Sequence, residues 1–247
     1  MPKARPRVLQ DDPVAYAEVE GLPFELRRFT VAEYHALIEA GILAEGENVE
    51  LLKGRIVENE TYHLRRFSVE EYEAMIAAGV LYSGEPVELL NGLITKMAAV
   101  GSHHAACVDR LDDFFSDYRD RLIVRTQSPI RLPDLGTEPE PDLALLRPRE
   151  DFYETGHPEP DDVFLAVEVA DRTAGTDRSE KIPAYAAHGL REAWLVDLPR
   201  ERLEIYRDPG PDSYETKRTL RRGDAATPVA LPDVDVPVER ILGPGGV

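Results

Sequence analysis

The sequence predicts an α/β protein: a mixed sheet flanked by helices, preceded by a helix–hairpin unit that is written twice. Three observations lead there. Segments of helical and strand periodicity interleave without strict alternation, which favours a mixed sheet over a regular doubly wound one. The run VFLAVEVA, residues 163–170, is apolar on both faces except for Glu168, as a strand covered from both sides must be. Finally, Leu26–Ile56 aligns with Leu64–Ile94 at about 20 identities in 31 positions, far above chance for unrelated segments.

Taken in order, residues 1–25 carry Pro and charge with little periodicity and read as a loose arm. Residues 26–60 form the first copy of the unit. Thr30 with Glu33 has the spacing of a capping box, Val31, Tyr34, Leu37 and Ile38 make an apolar stripe, and Gly41 stops the helix. VELLKGRIV then reads as a hairpin turning at Lys53-Gly54. The second copy, 64–98, repeats each signal: Ser68 with Glu71; Val69, Tyr72, Met75 and Ile76; Gly79; and a turn at Asn91-Gly92. It opens a larger domain, 61–247, with a core to about residue 222.

Within that domain HHAACVDRLDDFFSDY has helical periodicity through Ala106, Cys107, Leu111, Phe114, Phe115 and Tyr118. RLIVRTQSPIRLP reads as two short strands pivoting near Ser128-Pro129, and Pro141-Asp142 leads the strand of EPDLALLRP. An acidic Pro/Gly loop fills 150–162. DRSEKIPAYAAHG is a helix ending at Gly189, with Pro183 in its first turn or at a kink. EAWLVD, RLEIYRD and SYETKRTL are strands, and the Pro-rich tail beyond Gly223 is a closing loop.

The balance of 47 acidic against 29 basic residues gives a formal charge of −18. That argues against indiscriminate adhesion to nucleic acid or anionic membrane, though not against a cleft whose carboxylates gather round a cation. One cysteine, Cys107, cannot make an internal disulfide or a thiolate zinc cluster. With no membrane-length apolar run and no signal-peptide core, the expectation is a cytoplasmic protein.

The strongest chemical signal is Glu168. A carboxylate buried in a strand of Val, Phe, Leu and Ala must bind a cation, pair with a base or lie at the strand's open end. Asp142 and Lys181 are its candidate companions, because two carboxylates and a lysine at a sheet edge suit metal-assisted phosphodiester hydrolysis. An internal Glu168–Lys181 or Glu168–Arg salt bridge accounts for the same signal. The histidines at 35, 63, 157 and 188 have no metal-ligand spacing, and no phosphate-binding Gly-rich loop occurs.

The run Val87-Glu88-Leu89-Leu90-Asn91-Gly92, then His104 and Leu111, then Pro141-Asp142, then VEVADRTAGTDRSEKIPAYAAHGLREAWLVD resembles the Uma-two family of putative restriction endonucleases, within the PD-(D/E)XK nuclease superfamily. The match spans roughly Leu64 to Arg207, with Asp177, Lys181, Tyr185, Gly189 and Trp194 at the family's spacing. The resemblance implies a restriction-endonuclease-like core and a Mg²⁺ (or Mn²⁺) site held by Asp142, Glu168 and Glu88. It also implies catalytic roles for Lys181 and His104. The superfamily's lysine sits two residues after the second acid; here that position is Ala170, so the role passes to Lys181. Asp177 reads as a helix N-terminal acid, Tyr185 and Trp194 as core, and Gln127 as a polar residue near the presumed site.

The resemblance thus implies a metal-dependent endonuclease acting on DNA. The rival is a catalytically inactive nuclease-fold protein serving as a binding or assembly module, and hydrolysis of RNA or a small phosphodiester is a third reading. A basic strip for DNA would draw on Arg125, Arg131, Arg172, Arg178, Lys217, Arg218, Arg221 and Arg222. The first copy, which has Glu50 where the second has Glu88, lacks the residues that complete a site. Its apolar stripe needs burial on the domain or on a neighbouring subunit, so a homo-oligomer, a dimer, is expected.

Overall fold

A computed structural model describes residues 22–59 and 61–244; the N-terminal arm through residue 21 lies outside them. The chain divides into two compact units, through Met97 and from Ala98. Both copies of the helix–hairpin segment therefore fall in the first unit.

There, helices α1 (Val31–Glu39) and α2 (Val69–Ala77) start at Thr30 and Ser68. Each hydroxyl accepts from the backbone of Glu33 or Glu71, and that glutamate accepts from the cap's own N–H, closing the box that the sequence spells. Each helix is followed by a two-stranded hairpin, β1 (Val49–Leu52) with β2 (Arg55–Glu58), and β3 (Val87–Leu90) with β4 (Leu93–Lys96). At the turns Lys53 and Gly54, like Asn91 and Gly92, all have positive φ, as a type I′ turn requires. At Gly92 a Cβ would also lie 2.6 Å from Cβ of Arg66. Glycine is required there twice over. Part of the first copy is buried against the second: Leu37, Ile42 and Ile56 share one core with Val69, Met75 and Leu89, while Val31 and Ile38 of the predicted stripe remain exposed.

The second unit is built on a six-stranded sheet in the order β10-β9-β8-β7-β6-β5. The strands are β5 (Ile123–Thr126), β6 (Leu143–Leu146), β7 (Val163–Ala170), β8 (Glu192–Asp197), β9 (Arg202–Pro209) and β10 (Tyr214–Arg221). Only β7 and β8 run parallel; the other neighbours are antiparallel. The mixed sheet agrees with the sequence reading.

The two faces are covered differently. Leu165, Val167 and Val169 of β7 pack, with Trp194 and Ile205, under α3 (Ser102–Ser116), whose Cys107, Val108, Leu111 and Phe115 are buried. Burial pushes the Cys107 thiol up to about 12, so it stays a neutral, apolar filler. Ala166 and Ala170 face the crossover that joins β7 to β8. That crossover consists of a short turn, α4 (Ala174–Thr176), a π-helical turn Asp177–Lys181, and α5 (Ile182–Ala187), with Pro183 early in α5.

Two expectations need correction. The stretch after Ser128 forms no second strand; Leu132 makes only an isolated bridge to Thr137. The tail is more than a closing loop. It adds β11 (Ala225–Ala226), β12 (Val236–Pro237) and α6 (Val238–Leu242), and Val236, Val238 and Ile241 complete the core beneath α3. Its prolines mark turns between short elements whose apolar residues are spaced too sparsely to announce a helix.

Candidate active site at the β6–β7 strand ends

The antiparallel register pairs Leu143 with Val167. Asp142, one residue before Leu143, therefore stands beside Glu168, one residue after Val167. The strand ends bring the two acids side by side from positions 26 residues apart in sequence. Strand alternation puts Glu168 on the face that carries Ala166 and Ala170, beneath the crossover.

Glu168 is 3% exposed and its carboxylate is held by two side chains from that crossover. Lys181 Nζ lies 3.4 Å from Oε2, and the Tyr185 hydroxyl donates to Oε1 at 2.5 Å. Lys181 and Tyr185 are four residues apart, so one helical turn aims both at the same carboxylate. Asp142 is less deeply buried. Its Oδ2 accepts from the Val169 N–H at 2.8 Å, and its Oδ1 lies 3.0 Å from Nε2 of His104, in the first turn of α3. Hydrogen bonding to Asp142 raises the His104 pKa, a tendency that burial opposes and the nearby charges of Asp142, Asp171 and Asp177 assist. The other ring nitrogen, Nδ1, is buried without a hydrogen-bond partner.

The π-helical turn that carries Lys181 is anchored at its other residues. Asp177 accepts from the Thr173 hydroxyl at 2.8 Å. Arg178 bonds Asp197 at the end of β8, and its Nε donates to Glu204 Oε2 at 2.8 Å. Lys217 Nζ is 2.9 Å from the same Glu204 oxygen, and the Tyr206 hydroxyl donates to it. Burial would raise the Glu204 carboxyl, but Arg178, Tyr206 and Lys217 together bring it down to about 2.

Asp142 with His104, and Glu168 with Lys181, are direct pairs, and register sets the two acids next to each other. Glu88 is 7% exposed on β3 of the first unit, opposite Thr95. Gln127, at the end of β5, is exposed with φ 43°, and its N–H donates to the Asp142 carbonyl. Trp194 is packing, fully buried near Phe115. Tyr185 is core, as read, but it also holds the central carboxylate; its spacing of four from Lys181 was the available signal. Of the cations considered for a basic strip, Arg178 and Lys217 are committed to Asp197 and Glu204, Arg131 lies 3.7 Å from Glu159, and Arg222 pairs with Glu201.

Among the described residues no three His, Cys, Asp or Glu side chains gather as a metal cage. Two carboxylates on neighbouring strand ends are nonetheless the hard-oxygen donor set that Mg²⁺ accepts, since that ion keeps several of its waters. The chemistry of the donors fits a largely hydrated ion.

A family model described as Uma2, putative restriction endonuclease, matches residues 69–239. The chain belongs to that family. Among solved structures, a putative nuclease belonging to DUF820 from Anabaena variabilis ATCC 29413 is similar at a TM-score of 0.51 and 18% identity. The similarity covers 71% of this chain and 97% of that one. At that identity the likeness concerns the fold. No curated protein matches. Among the described residues, no helix is long and apolar enough to cross a membrane.

Proposed function

We propose that this chain is a metal-dependent endonuclease that hydrolyses phosphodiester bonds, with DNA as its substrate. The observation that carries the reading is the approach of Lys181 to Glu168 at 3.4 Å, with Asp142 beside them on the adjoining strand. Membership in a family of putative restriction endonucleases supports it.

Asp142 and Glu168 would hold Mg²⁺ (or Mn²⁺). The bound ion would lower the pKa of a coordinated water and offset charge on the phosphate. In the reaction, water oxygen bonds to phosphorus while one P–O ester bond breaks, leaving a phosphate monoester and a hydroxyl. The chain's own groups prepare this. The Val169 N–H and His104 fix the Asp142 carboxylate, and Tyr185 fixes that of Glu168. The Lys181 ammonium supplies a fixed positive charge where a phosphate oxygen becomes more negative, a contribution that preorganisation makes large.

Cleavage of supercoiled plasmid in Mg²⁺ tests the assignment. Glu168→Gln, Asp142→Asn and Lys181→Met are each expected to lower the rate by about 10²-fold or more with an unchanged circular dichroism spectrum. Wild-type activity in Glu168→Gln would overturn it.

A second reading, an inactive nuclease-fold module, is favoured by one feature: both oxygens of Asp142 and both of Glu168 already have partners within the protein. Calorimetric titration with Mn²⁺ separates the two. Binding that is lost in Asp142→Asn supports the enzyme, and no binding supports the module.

A further inference from the structure

The first unit contains an unusual set of contacts: several made by the first copy to the second are returned by the second to the first. The Arg27 N–H donates to the Ile94 carbonyl at 2.8 Å, and the Arg65 N–H donates to Ile56 at 2.9 Å. The Lys96 N–H reaches the Glu25 carbonyl, and the Glu58 N–H reaches that of His63. Leu26 bridges to Thr95 as Val57 bridges to Leu64. Among side chains, Arg27 Nε lies 2.9 Å from Glu85 while Arg65 Nε lies 3.0 Å from Glu47. Each of these residues corresponds to its counterpart by the same 38-residue shift.

Contacts related in this way form a self-complementary patch, the kind found at two-fold dimer interfaces. Two more observations fit a local two-fold axis. Phe29 and Phe67, which correspond, face each other with ring centroids 6.2 Å apart, and each lies under the arginine two residues before it. A cavity of about 30 Å³ is lined by corresponding residues in pairs, among them Leu26 with Leu64 and Ile56 with Ile94.

The side chains at the centre of this face are the same in both copies, whereas Glu25 and Glu58 at its edge correspond to His63 and Lys96 and meet through their backbones. Leu, Arg, Phe, Glu and Ile recur at 26/64, 27/65, 29/67, 47/85 and 56/94; of the bridging residues, only Val57 differs, from Thr95. The Leu, Arg, Phe, Glu and Ile contacts through which the second copy accepts the first are ones that a second copy from another molecule also offers. We infer that the helix–hairpin unit is a self-associating module, and that the first copy occupies, within this chain, the place that the same unit of another chain would take. Joined by a short connection, the in-chain copy acts at an effective concentration of about millimolar or more and excludes the external one. The face is closed internally, and the chain does not dimerise through it. This inference does not depend on nuclease activity.

Cysteine cross-linking in the full chain tests it. Leu64→Cys with Thr95→Cys places thiols where two second copies from different molecules would bridge. The one native cysteine, Cys107, is buried. With the first copy seated, oxidation is expected to give only background covalent dimer on a denaturing gel. Adding Phe29→Asp and Glu47→Arg, which set an acid in the shared core and a cation against Arg65, should release the first copy. Covalent dimer then becomes the major product. Glu47→Arg alone spares the core and should give an intermediate yield should the double change prevent folding. As a direct check, Val57→Cys with Leu64→Cys is expected to close a disulfide at monomer mass. Covalent dimer in the unreleased Leu64→Cys/Thr95→Cys chain, or none after release of a folded variant, would overturn the inference.

Discussion

The two faces of the six-stranded sheet share their strands and differ in almost everything else. Beneath α3 the face is closed by Leu, Val, Ile, Phe and Trp side chains, finished by the C-terminal α6. Beneath the β7–β8 crossover the same strands present alanines and tyrosines beside Leu146, Val163 and Leu195, and among them the buried acids Glu168, Asp197 and Glu204, with Lys181 of the crossover against Glu168. Small residues there leave room for the crossover to come close and bring Lys181, Tyr185 and Arg178 down to the carboxylates. Burying charge is costly unless every group is paired, and here each acid has a named cationic or hydroxyl partner. One face supplies cohesion. The other holds charge ready at fixed positions.

That contrast can be broken most severely from the apolar side. Leu111→Ala, in the fully buried stripe of α3, is expected to destabilise by about 2–5 kcal/mol, measured by urea unfolding, with the site chemistry intact in whatever fraction stays folded. Glu204→Gln probes the charged side. The folded Glu204 carboxyl lies at about 2, below the ordinary 4.5, so its contribution is complete above the unfolded value and is lost as pH falls through the folded one. The variant should be less stable by about 3 kcal/mol at neutral pH, and the gap from wild type should close between about pH 4.5 and 2. A gap independent of pH would show that packing, not charge, is what Glu204 contributes. The smallest effect is expected from Tyr185→Phe, which removes one donor to Glu168. It should cost about 1–2 kcal/mol and weaken Mn²⁺ binding less than Asp142→Asn does.

Much of the architecture was legible because it is written in local signals. Thr30 and Ser68 start helices with their boxes closed, Gly54 and Gly92 turn hairpins, and the apolar run around Glu168 is a central strand. Glu168 stood out because a lone carboxylate in such a run demands an explanation. Asp142 and Lys181 carried weaker signals of their own, and the family resemblance brought them forward. The network of Arg178, Asp197 and Glu204 was not foreseen. Alternation assigns Glu204 to the face opposite Leu203 and Ile205, but it does not say whether that face is covered. The helical tail was missed because its few apolar residues gain their meaning only from the groove under α3.

By itself the sequence determined where elements begin and end and which single residue could not be an ordinary core residue, because caps, turns and periodicity act over a few positions. Tertiary structure decided which distant groups meet. The β6–β7 register set Asp142 beside Glu168, the parallel β7–β8 crossover returned Lys181 and Tyr185 over it, and the pairing of two like segments closed the first unit on itself. Such meetings depend on strand register and layer packing, which join residues far apart in the chain and leave no mark at any one of them.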